Sequence, residues 1–430
     1  MNLFFLTDTF PYGKGEDFIL NEIKYLEKSF EKIYIIPVGL MVDVNVKKSF
    51  NHYDNIVVLS PPNQRNLYTK DKVRLLDKIL WSIKYLTFPL FECLFNKDLY
   101  VEFLGVGKKR TYKHLIVILK ELLPRIKSRN YFRKQISEDM FCEENIVYSF
   151  WFDYSISMFQ DILKANHIFA NIKYVARGHR RDIYENENSL NYLPFRKKYF
   201  ESLNLLCLST KDGFFYMQNK YEKYINKLEM IHLGTEDHGY KVNRYNNTCF
   251  HIVSCSFCSP VKRVDLIIKA LSKLNSTKKI KWTHIGDGIL FTELNKMCKL
   301  NLKDKIDYEF IGYLKNQDMI KFYQTHNINL FINVSRSEGL PVSIQEAISF
   351  AIPVIATNVG STQEAVINNY NGLLLNKDFL IEDLTKNIKN FIDMEKEEYN
   401  KFCENSRKLW EEEHCAKQNY EKFIRRIKKI

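Results

Sequence analysis

The sequence predicts an α/β protein with two doubly wound parallel-sheet domains in series, and three observations support this prediction. The 430 residues exceed what one ordinary hydrophobic core organises, so two domains are expected. In both halves, short apolar runs alternate with segments of helical periodicity, which is the pattern of βαβ units and of parallel sheets. Near the middle, a polar segment without periodicity interrupts this alternation. The composition, 45% hydrophobic and 27% charged, is typical of a soluble globular protein.

The first half of the chain predicts an N-terminal domain over residues 1–235. Its expected buried strands span residues 2–6, 32–38, 55–60, 144–150, 172–178, 203–209 and 228–234. Between the first two strands, residues 16–30 place apolar side chains three or four positions apart, which is helical spacing. Residues 73–135 interrupt the alternation with amphipathic helical patterns, which we interpret as a helical insertion.

The second half restarts the alternation after a linker. Residues 236–248 are polar and aperiodic, so we predict the linker there and a C-terminal domain over residues 249–405. The expected strands span residues 250–256, 281–286, 308–313, 328–335 and 353–359, with helices near 263–274, 317–325 and 341–350. In such sheets ligands bind outside the carboxyl ends of the strands, so residues directly after each strand are site candidates.

Positive charge is concentrated in one segment of the chain. Residues 107–135 contain ten Lys and Arg and a single acid, Glu121, and so contribute +9 of the net charge of +13. This concentration predicts contact with an anionic surface, either phospholipid or nucleic acid. Within residues 113–126 the apolar side chains have helical spacing, with Pro124 expected to end or kink the helix. A helix lying on a membrane and a core-packed helix with a solvated basic face both remain open.

Targeting and membrane-spanning signals are absent from the sequence pattern. The N-terminus has an apolar run of only four residues and no basic region, unlike a signal peptide. The longest apolar zone, residues 79–95, is interrupted by a lysine, a proline and a glutamate, so no transmembrane helix is expected. Nine scattered cysteines favour a reducing compartment, and the lone pair Cys255 and Cys258 is expected to be structural. We therefore expect a cytoplasmic protein.

The stretch SRSEGLPVSIQEA, which begins at Ser335, carries two carboxylates. Glu338 follows a predicted strand, and Glu346 lies about one and a half turns into the next predicted helix. Pro341 suits the first helical turn, Gly339 allows close backbone approach, and the free N–H groups of a helix start favour an anion. A carboxylate can accept two hydroxyl hydrogen bonds, which suits the vicinal diol of a ribose or hexose. These parts describe a site for a sugar joined to a phosphate, with surface glutamates on an ordinary helix as the alternative.

The longer stretch SRSEGLPVSIQEAISFAIPVIATNVGSTQEAVINNYNGLLL resembles the signature of the family-four retaining glycosyltransferases, which carry an E-x7-E motif. The resemblance extends to residues 282–288 and 308–314 and is thinner in the N-terminal half. It implies the GT-B fold, two Rossmann-like domains facing across a cleft, with a C-terminal helix over 406–430 that crosses back to the N-terminal domain. It also implies that Glu338 contacts the donor sugar and that Glu346 holds the nucleotide ribose.

The resemblance implies further contacts with the donor. Lys262 aligns with a family lysine that meets the donor diphosphate, where a fixed ammonium stabilises the charge of the leaving group. Phe257 stands where the family usually has an arginine, so Arg263 is the candidate replacement, with a solvent-facing side chain as the alternative. The family also places the loop of Gly286 near the nucleotide.

In the first half, His179 directly follows a predicted strand. It resembles the family's strand-end histidine, which reaches the donor sugar or the acceptor; a hydrogen-bonded structural histidine is the alternative. Asp182 could orient its ring or bond the backbone. Gly13 and Gly15 lie in a loop that lacks the third glycine of a dinucleotide fingerprint but corresponds to a family loop over the donor or acceptor. The expected catalytic residues are Glu338, Lys262 and His179, and the expected donor-binding residues are Glu346, Arg263, Gly339, Leu340, Pro341, Gly286, Gly13 and Gly15.

The resemblance implies transfer without a metal or other cofactor. The chain has no Asp-x-Asp pair, with which the other main glycosyltransferase fold holds a divalent cation. We expect a hexose-type sugar to pass from a UDP- or GDP-sugar to a glycan or polyprenyl-diphosphate-linked acceptor in cell-surface polysaccharide biosynthesis, such as capsule or exopolysaccharide. Residues 107–135 would hold the enzyme peripherally at the inner face of the cell membrane, and no nucleic-acid partner is expected because no recognition motif accompanies the charge. A non-catalytic nucleotide-sugar-binding subunit and a GT-B sugar-nucleotide epimerase remain alternatives.

Overall fold

The computed structural model describes most of the chain. The described residues are 1–13, 16, 18–40, 42–45, 54–62, 88–240, 249–303 and 305–430. Some sequence predictions fall wholly or partly outside them: the role of Gly15, residue 17 of the helical segment 16–30, residues 73–87 of the predicted insertion with residues 79–87 of the apolar zone, and residues 241–248 of the predicted linker.

The chain divides into two compact units, which are described separately. Unit 1 comprises Met1–Ser209, Gly213–Ile231 and Tyr420–Ile430, and unit 2 comprises Thr210–Asp212 and His232–Asn419. The strands are β1 Asn2–Thr7, β2 Lys32–Pro37, β3 Ile56–Val58, β4 Asn145–Ser149, β5 Ile172–Gly178, β6 Leu205–Leu208, β7 Leu228–Met230, β8 Cys249–Cys255, β9 Lys279–Ile285, β10 Asp307–Gly312, β11 Leu330–Asn333, β12 Val354–Thr357 and β13 Gly372–Leu375. The α-helices are α1 Ile19–Glu27, α2 Phe88–Leu94, α3 Lys97–Gly105, α4 Tyr112–Phe132, α5 Ser155–Ala165, α6 Arg180–Ile183, α7 Arg196–Ser202, α8 Lys211–Lys220, α9 Val264–Ser272, α10 Phe291–Asn301, α11 Asn316–Thr325, α12 Val342–Ser349, α13 Ile381–Asp393, α14 Lys396–Leu409 and α15 Ala416–Ile427.

Unit 1 is built on a parallel sheet of strand order β3-β2-β1-β4-β5-β6-β7. Every residue of the central strands β1 and β4 is buried. Strands covered on both faces need continuous apolar sequence rather than alternation, which explains runs such as NLFFLT. The predicted parallel sheet is therefore confirmed for this unit.

Unit 2 is built on a second parallel sheet, of order β10-β9-β8-β11-β12-β13. Adjacent residues of β8 point to opposite faces, so Ile252 and Val253 pack into separate hydrophobic cores. The edge strand β13 is the one element of this sheet that the sequence analysis missed, because its short run follows a polar turn and has no period of its own.

Helix α4 resolves an alternative that the sequence left open. Its apolar stripe, including Ile118, Leu122 and Ile126, is buried in the core of unit 1, so α4 is a core-packed helix. Pro124 was expected to end or kink this helix, and the structure shows that it does not end it, because the helix continues to Phe132. Core packing of the turns on both sides outweighs the missing backbone hydrogen bond.

The C-terminal segment also differs from the expected single helix over 406–430. Helix α14 ends at Leu409, a π-helical turn covers Trp410–His414, and α15 follows. Residues Tyr420–Ile430 of α15 and the chain end fall in unit 1. Among the described residues, no helix is long and apolar enough to cross a membrane.

A buried ion pair lies within unit 1. Arg177 donates to Glu22 at 3.2 Å, to the Tyr148 hydroxyl at 2.9 Å and to the carbonyl of Ile231 at 3.1 Å. Both charged side chains are fully buried, and burial raises the pKa of Glu22. The guanidinium also lies 4.4 Å from the ring centroid of Phe423. Arg177, which flanks the candidate His179, is therefore a structural residue.

Breaking this pair should destabilise unit 1. We expect Arg177→Met to lower the free energy of unfolding by about 3–5 kcal/mol, because Glu22 is left buried without its counter-charge. The double variant Arg177→Met/Glu22→Leu should recover most of the loss, and Lys389→Ala, at an exposed pair in α13, should change stability by less than about 0.5 kcal/mol. Urea denaturation measures all three variants, and a single variant as stable as the double one would contradict the assignment.

Candidate functional site

The candidate site of unit 2 lies where the strand order changes direction. Strands β8 and β11 are neighbours in the sheet, and the loops after them leave its carboxyl edge side by side. The N–H of Arg336, in the loop after β11, donates to the carbonyl of Val261, in the loop after β8, at 2.7 Å. The topology thus brings together two loops that are far apart in the chain.

Lys262 and Glu338 meet at this edge. The Lys262 Nζ atom lies 2.6 Å from Glu338 Oε1, and the Glu338 side chain is only 10% exposed. The Asn333 side-chain amide donates to the same oxygen at 3.3 Å. Sequence reasoning predicted Lys262 and Glu338 separately; the structure pairs them and adds Asn333, which no motif had marked.

Glu346 lies on α12 in a different environment. Its Oε1 atom accepts a hydrogen bond from the Asn316 side chain at 3.1 Å, and Asn316 is the first residue of α11. Burial raises the pKa of Glu346 to about 7, and the bond from Asn316 offsets only part of that shift. Glu346 is thus poised between its ionised and protonated forms near neutral pH. Asn316 is a second residue that the sequence analysis missed.

The loop between Glu338 and α12 sets the start of the helix. Pro341 occupies the N-cap rather than the first helical position, and its carbonyl accepts from the N–H groups of Ile344 and Gln345. The carbonyl of Gly339 accepts from the Ser361 N–H at 3.0 Å, and Leu340 packs against the core. The loop is therefore held from both sides. Donor contacts by these three loop residues stay predictions.

Arg263 is engaged by protein carbonyls. Its guanidinium donates to the carbonyls of Val334 at 2.7 Å, Ser335 at 3.2 Å and Lys377 at 2.7 Å. These bonds connect the end of β11 to the loops around it, which is a structural task. Arg263 as a replacement for the missing family arginine stays a prediction; the three bonds use three of the five N–H donors of its guanidinium.

The loop after β9 packs tightly on the loop after β8. A Cβ atom at Gly286 would lie 1.9 Å from the Ser256 carbonyl oxygen, and one at Gly288 would lie 2.6 Å from that of Cys258. Both glycines have φ values above +140°, which side-chain-bearing residues rarely adopt. Close approach therefore explains these glycines without a ligand. Phe257, between the two contacted residues, is 68% exposed.

In unit 1, His179 lies at the carboxyl edge of the first sheet. Its Nε2 atom lies 3.1 Å from the Phe150 carbonyl and its Nδ1 atom 3.3 Å from the Ser209 hydroxyl, and its ring stacks on Phe150. Burial lowers the pKa of His179 to about 3, so the ring is neutral. Both ring nitrogens already have protein partners, which favours a positioning role. Contact with donor or acceptor stays a prediction.

Asp182 bonds the backbone rather than the imidazole ring. Its carboxylate accepts from the N–H groups of Phe152 at 2.7 Å and His179 at 2.6 Å. Burial raises the pKa of Asp182 to about 7. Of the two roles that the sequence left open, the structure supports backbone bonding, which fixes the turn on which His179 stands.

The loop after β1 is organised by a residue that the sequence analysis did not single out. The Glu16 carboxylate accepts from three consecutive backbone N–H groups, those of Asp8, Thr9 and Phe10, and from Trp151 Nε1 at 2.7 Å. Gly13 has a φ of +72°, which glycine adopts without strain. The sequence signal that could have identified Glu16 is its position directly after Gly13 and Gly15 in the loop that follows β1. A ligand contact by Gly13 stays a prediction.

The arrangement in unit 2 can hold an anion and hydroxyl groups together. A lysine ammonium, two carboxylates and two orienting amides surround the switch point of the sheet, which suits a phosphate flanked by sugars. Among the described residues, no group of three or more His, Cys, Asp or Glu could hold a metal ion. The metal-independent reaction stays a prediction.

Comparison with known proteins shows similarity to glycosyltransferases. Residues 241–409 match the family model of glycosyl transferases group 1. The uncharacterized glycosyltransferase MJ1178 of Methanocaldococcus jannaschii is 34% identical over 119 residues, covering 27% of this chain and 31% of that protein. The O-antigen biosynthesis glycosyltransferase WbnH of Escherichia coli is 33% identical over 114 residues, covering 26% of this chain and 30% of that protein. The chain therefore matches about a third of the length of these relatives.

A solved structure matches the whole chain. HepE of Anabaena, in complex with UDP and glucose, has a TM-score of 0.60 and 12% identity, and the match covers 100% of both chains. At this identity the likeness shows the fold alone, and it confirms the predicted fold class. The chain has the GT-B fold, and its residues 241–409 carry the pattern of the group 1 glycosyltransferases.

Proposed function

We propose that the protein is a retaining, metal-independent glycosyltransferase that uses a nucleotide-diphosphate sugar. The observation that carries this proposal is the Lys262–Glu338 pair at the switch point of unit 2, inside the segment that matches the family model. Glu346 stands eight positions after Glu338 on the adjoining helix, as the family-four E-x7-E motif requires. UDP- and GDP-sugars with a hexose-type group are the donors we favour.

Lys262 would bind the diphosphate, and Glu338 would position the sugar. Without donor, the ammonium and the carboxylate neutralise each other at 2.6 Å. A bound diphosphate would compete for the ammonium and release Glu338 to accept hydroxyl hydrogen bonds. The charge on the leaving nucleoside diphosphate grows in the transition state, so a fixed ammonium stabilises that state more than the ground state.

The reaction we propose is attack on the same face from which the nucleotide leaves. The acceptor hydroxyl oxygen bonds to the anomeric carbon while the bond from that carbon to the phosphate oxygen breaks. The bonding electrons stay on the phosphate oxygen, which also takes the acceptor proton. No protein nucleophile is needed, and Glu338 orients the sugar without bonding to it covalently.

We propose a glycan or polyprenyl-diphosphate-linked acceptor in cell-surface polysaccharide biosynthesis. The similarity to the O-antigen enzyme WbnH supports this class. HepE was solved with UDP and glucose, which supports a UDP-sugar as the first donor to test. A polyprenyl-linked acceptor would bring the enzyme to the inner face of the cell membrane.

A thermal-shift screen against UDP-, GDP-, ADP- and CMP-sugars tests the donor assignment. One class of donor should raise the melting temperature, because binding to the folded state stabilises it. A shift with none of them would contradict the donor assignment. Donor binding without transfer or hydrolysis would instead favour a non-catalytic nucleotide-sugar-binding subunit. The reason to consider that alternative is the exposed Phe257, which stands where the family usually has an arginine.

Removing the Lys262 ammonium should slow the chemical step. We expect Lys262→Ala to lower kcat by about 10²–10³-fold, the scale of losing one preorganised electrostatic stabiliser. Steady-state kinetics with the donor found by the screen measures the effect. The matched control is Lys269→Ala, since Lys269 is a half-buried lysine paired with Asp265 on α9. Near-normal turnover of Lys262→Ala would refute this role.

Replacing Glu346 should act on donor binding. We expect Glu346→Ala to raise the donor KM by about tenfold or more with a smaller change in kcat, because a ribose contact is equal in the ground and transition states. The exposed carboxylate of Glu293 on α10 provides the control variant Glu293→Ala. An unchanged donor KM in Glu346→Ala would count against ribose binding.

Donor binding should also depend on pH through Glu346. Its pKa of about 7 means that the carboxylate, which accepts both ribose hydroxyls, is lost as the pH falls through neutrality. We expect the donor Kd of the wild type to rise between about pH 8 and pH 6, and the Kd of Glu346→Gln to lack this step. Isothermal titration calorimetry at several pH values measures both, and parallel profiles would overturn the assignment.

A further inference from the structure

Unit 1 exposes a dense apolar surface on α2, α3 and the first turns of α4. Large side chains that are each more than half exposed lie here: Phe88, Phe91, Phe95, Tyr100, Leu104 and Tyr112. Of the 23 exposed large hydrophobic residues in the described part of the chain, ten lie between residues 88 and 116. Such a concentration marks an interaction site rather than ordinary scattered exposure. We call it the α2–α4 face.

Helix α3 shows that this exposure is systematic. Its residues 97, 100, 101 and 104 are all exposed, and that spacing places Lys97, Tyr100, Val101 and Leu104 on one side of the helix. Leu99 and the acids are on the other side, towards the protein. A surface helix normally turns its apolar stripe inwards. Here an apolar stripe faces solvent, next to a lysine.

The acids of this segment are bound by protein partners. Glu92 pairs with Arg129, and Asp98 accepts from Arg125 at 2.7 Å. Glu102 accepts from the Phe195 N–H at 2.8 Å, and Glu121 accepts from the Tyr199 hydroxyl at 3.0 Å. None of these four carboxylates belongs to an exposed residue. Negative charge is thereby withdrawn from the surface.

The charges left on the surface have one sign. Between residues 88 and 120, the exposed charged residues whose side chains the structure describes are Lys97, Lys108, Arg110, Lys113 and Lys120. The basic side chains of residues 107–135 therefore do not all face solvent. Arg125 and Arg129 neutralise half-buried acids, while the exposed bases lie on α3, in the turn after it and on early α4, in the same chain segment as the exposed aromatic rings.

We propose that the α2–α4 face docks on an anionic phospholipid surface. Phe, Tyr and Leu side chains would enter the headgroup and upper acyl region, and the five surrounding bases would meet lipid phosphates. Lipid suits the face better than a second copy of this chain, because two such faces would bring like charges together. This inference rests on the proposed function in one respect: a lipid-linked acceptor would give the enzyme a reason to bind a membrane.

Vesicle flotation tests the assignment with the full chain. The wild type should bind vesicles of phosphatidylcholine with about 30% phosphatidylglycerol and bind pure phosphatidylcholine at least tenfold more weakly. The variant Lys108→Glu/Lys113→Glu should bind the anionic vesicles at least about 25-fold more weakly, since each lost base costs about fivefold and each new carboxylate adds repulsion. Phe91→Ser/Leu104→Ser, which removes apolar contacts without changing charge, should also weaken binding at least tenfold.

Two matched controls separate the face from general effects. Lys164→Glu and Phe169→Ser change an exposed base and an exposed aromatic ring elsewhere in unit 1, and both should bind like the wild type. Donor-induced thermal shifts should be the same in all variants, so vesicle binding without a donor shift would refute the proposed function and still support this inference. Equal vesicle binding by all variants, no binding to anionic vesicles, or a dimer that the face variants abolish would overturn it.

Discussion

The parallel pairing of β8 with β11 is the constraint on which the candidate site depends. The sheet extends to β9 and β10 on one side and to β12 and β13 on the other, so the loops after β8 and β11 leave the carboxyl edge side by side where the strand order changes direction. That geometry places Lys262 beside Glu338, although 76 residues separate them. Asn333 orients the carboxylate and Arg263 fastens the end of β11 to neighbouring carbonyls, so the charged pair stands on a fixed frame.

The two glutamates of the motif differ in their surroundings. Glu338 has an ammonium partner at 2.6 Å, whereas Glu346 has the neutral amide of Asn316. Burial without a counter-charge raises the pKa of Glu346 to about 7. Each carboxylate is therefore suited to hold hydroxyl groups, and the charge of Glu346 responds to pH near neutrality. In unit 1, His179 is neutral because burial disfavours its charged form.

Charge on α2, α3 and early α4 is divided between acids that face the protein and bases that face solvent. Arg125 and Arg129 turn inwards to meet Asp98 and Glu92, and the resulting ion pairs fasten α4 to α3 and α2. The bases left outside belong to the same chain segment as the exposed aromatic rings. A sum of charges over residues 107–135 cannot reveal this division, because it depends on which face of each helix meets the protein.

The sequence by itself determined the fold class, since the alternation of apolar runs and helical spacing admits little besides parallel sheets. It also determined the motif in which Glu338 and Glu346 lie, because local spacing after a strand is a property of the chain. Only the tertiary structure decided the contacts that join distant segments: the pairing of Lys262 with Glu338, the amides of Asn316 and Asn333, and the inward turn of the acids on α2 to α4. It also decided the edge strand β13 and the passage of α4 through its proline, because packing against the rest of the unit outweighs local propensity there.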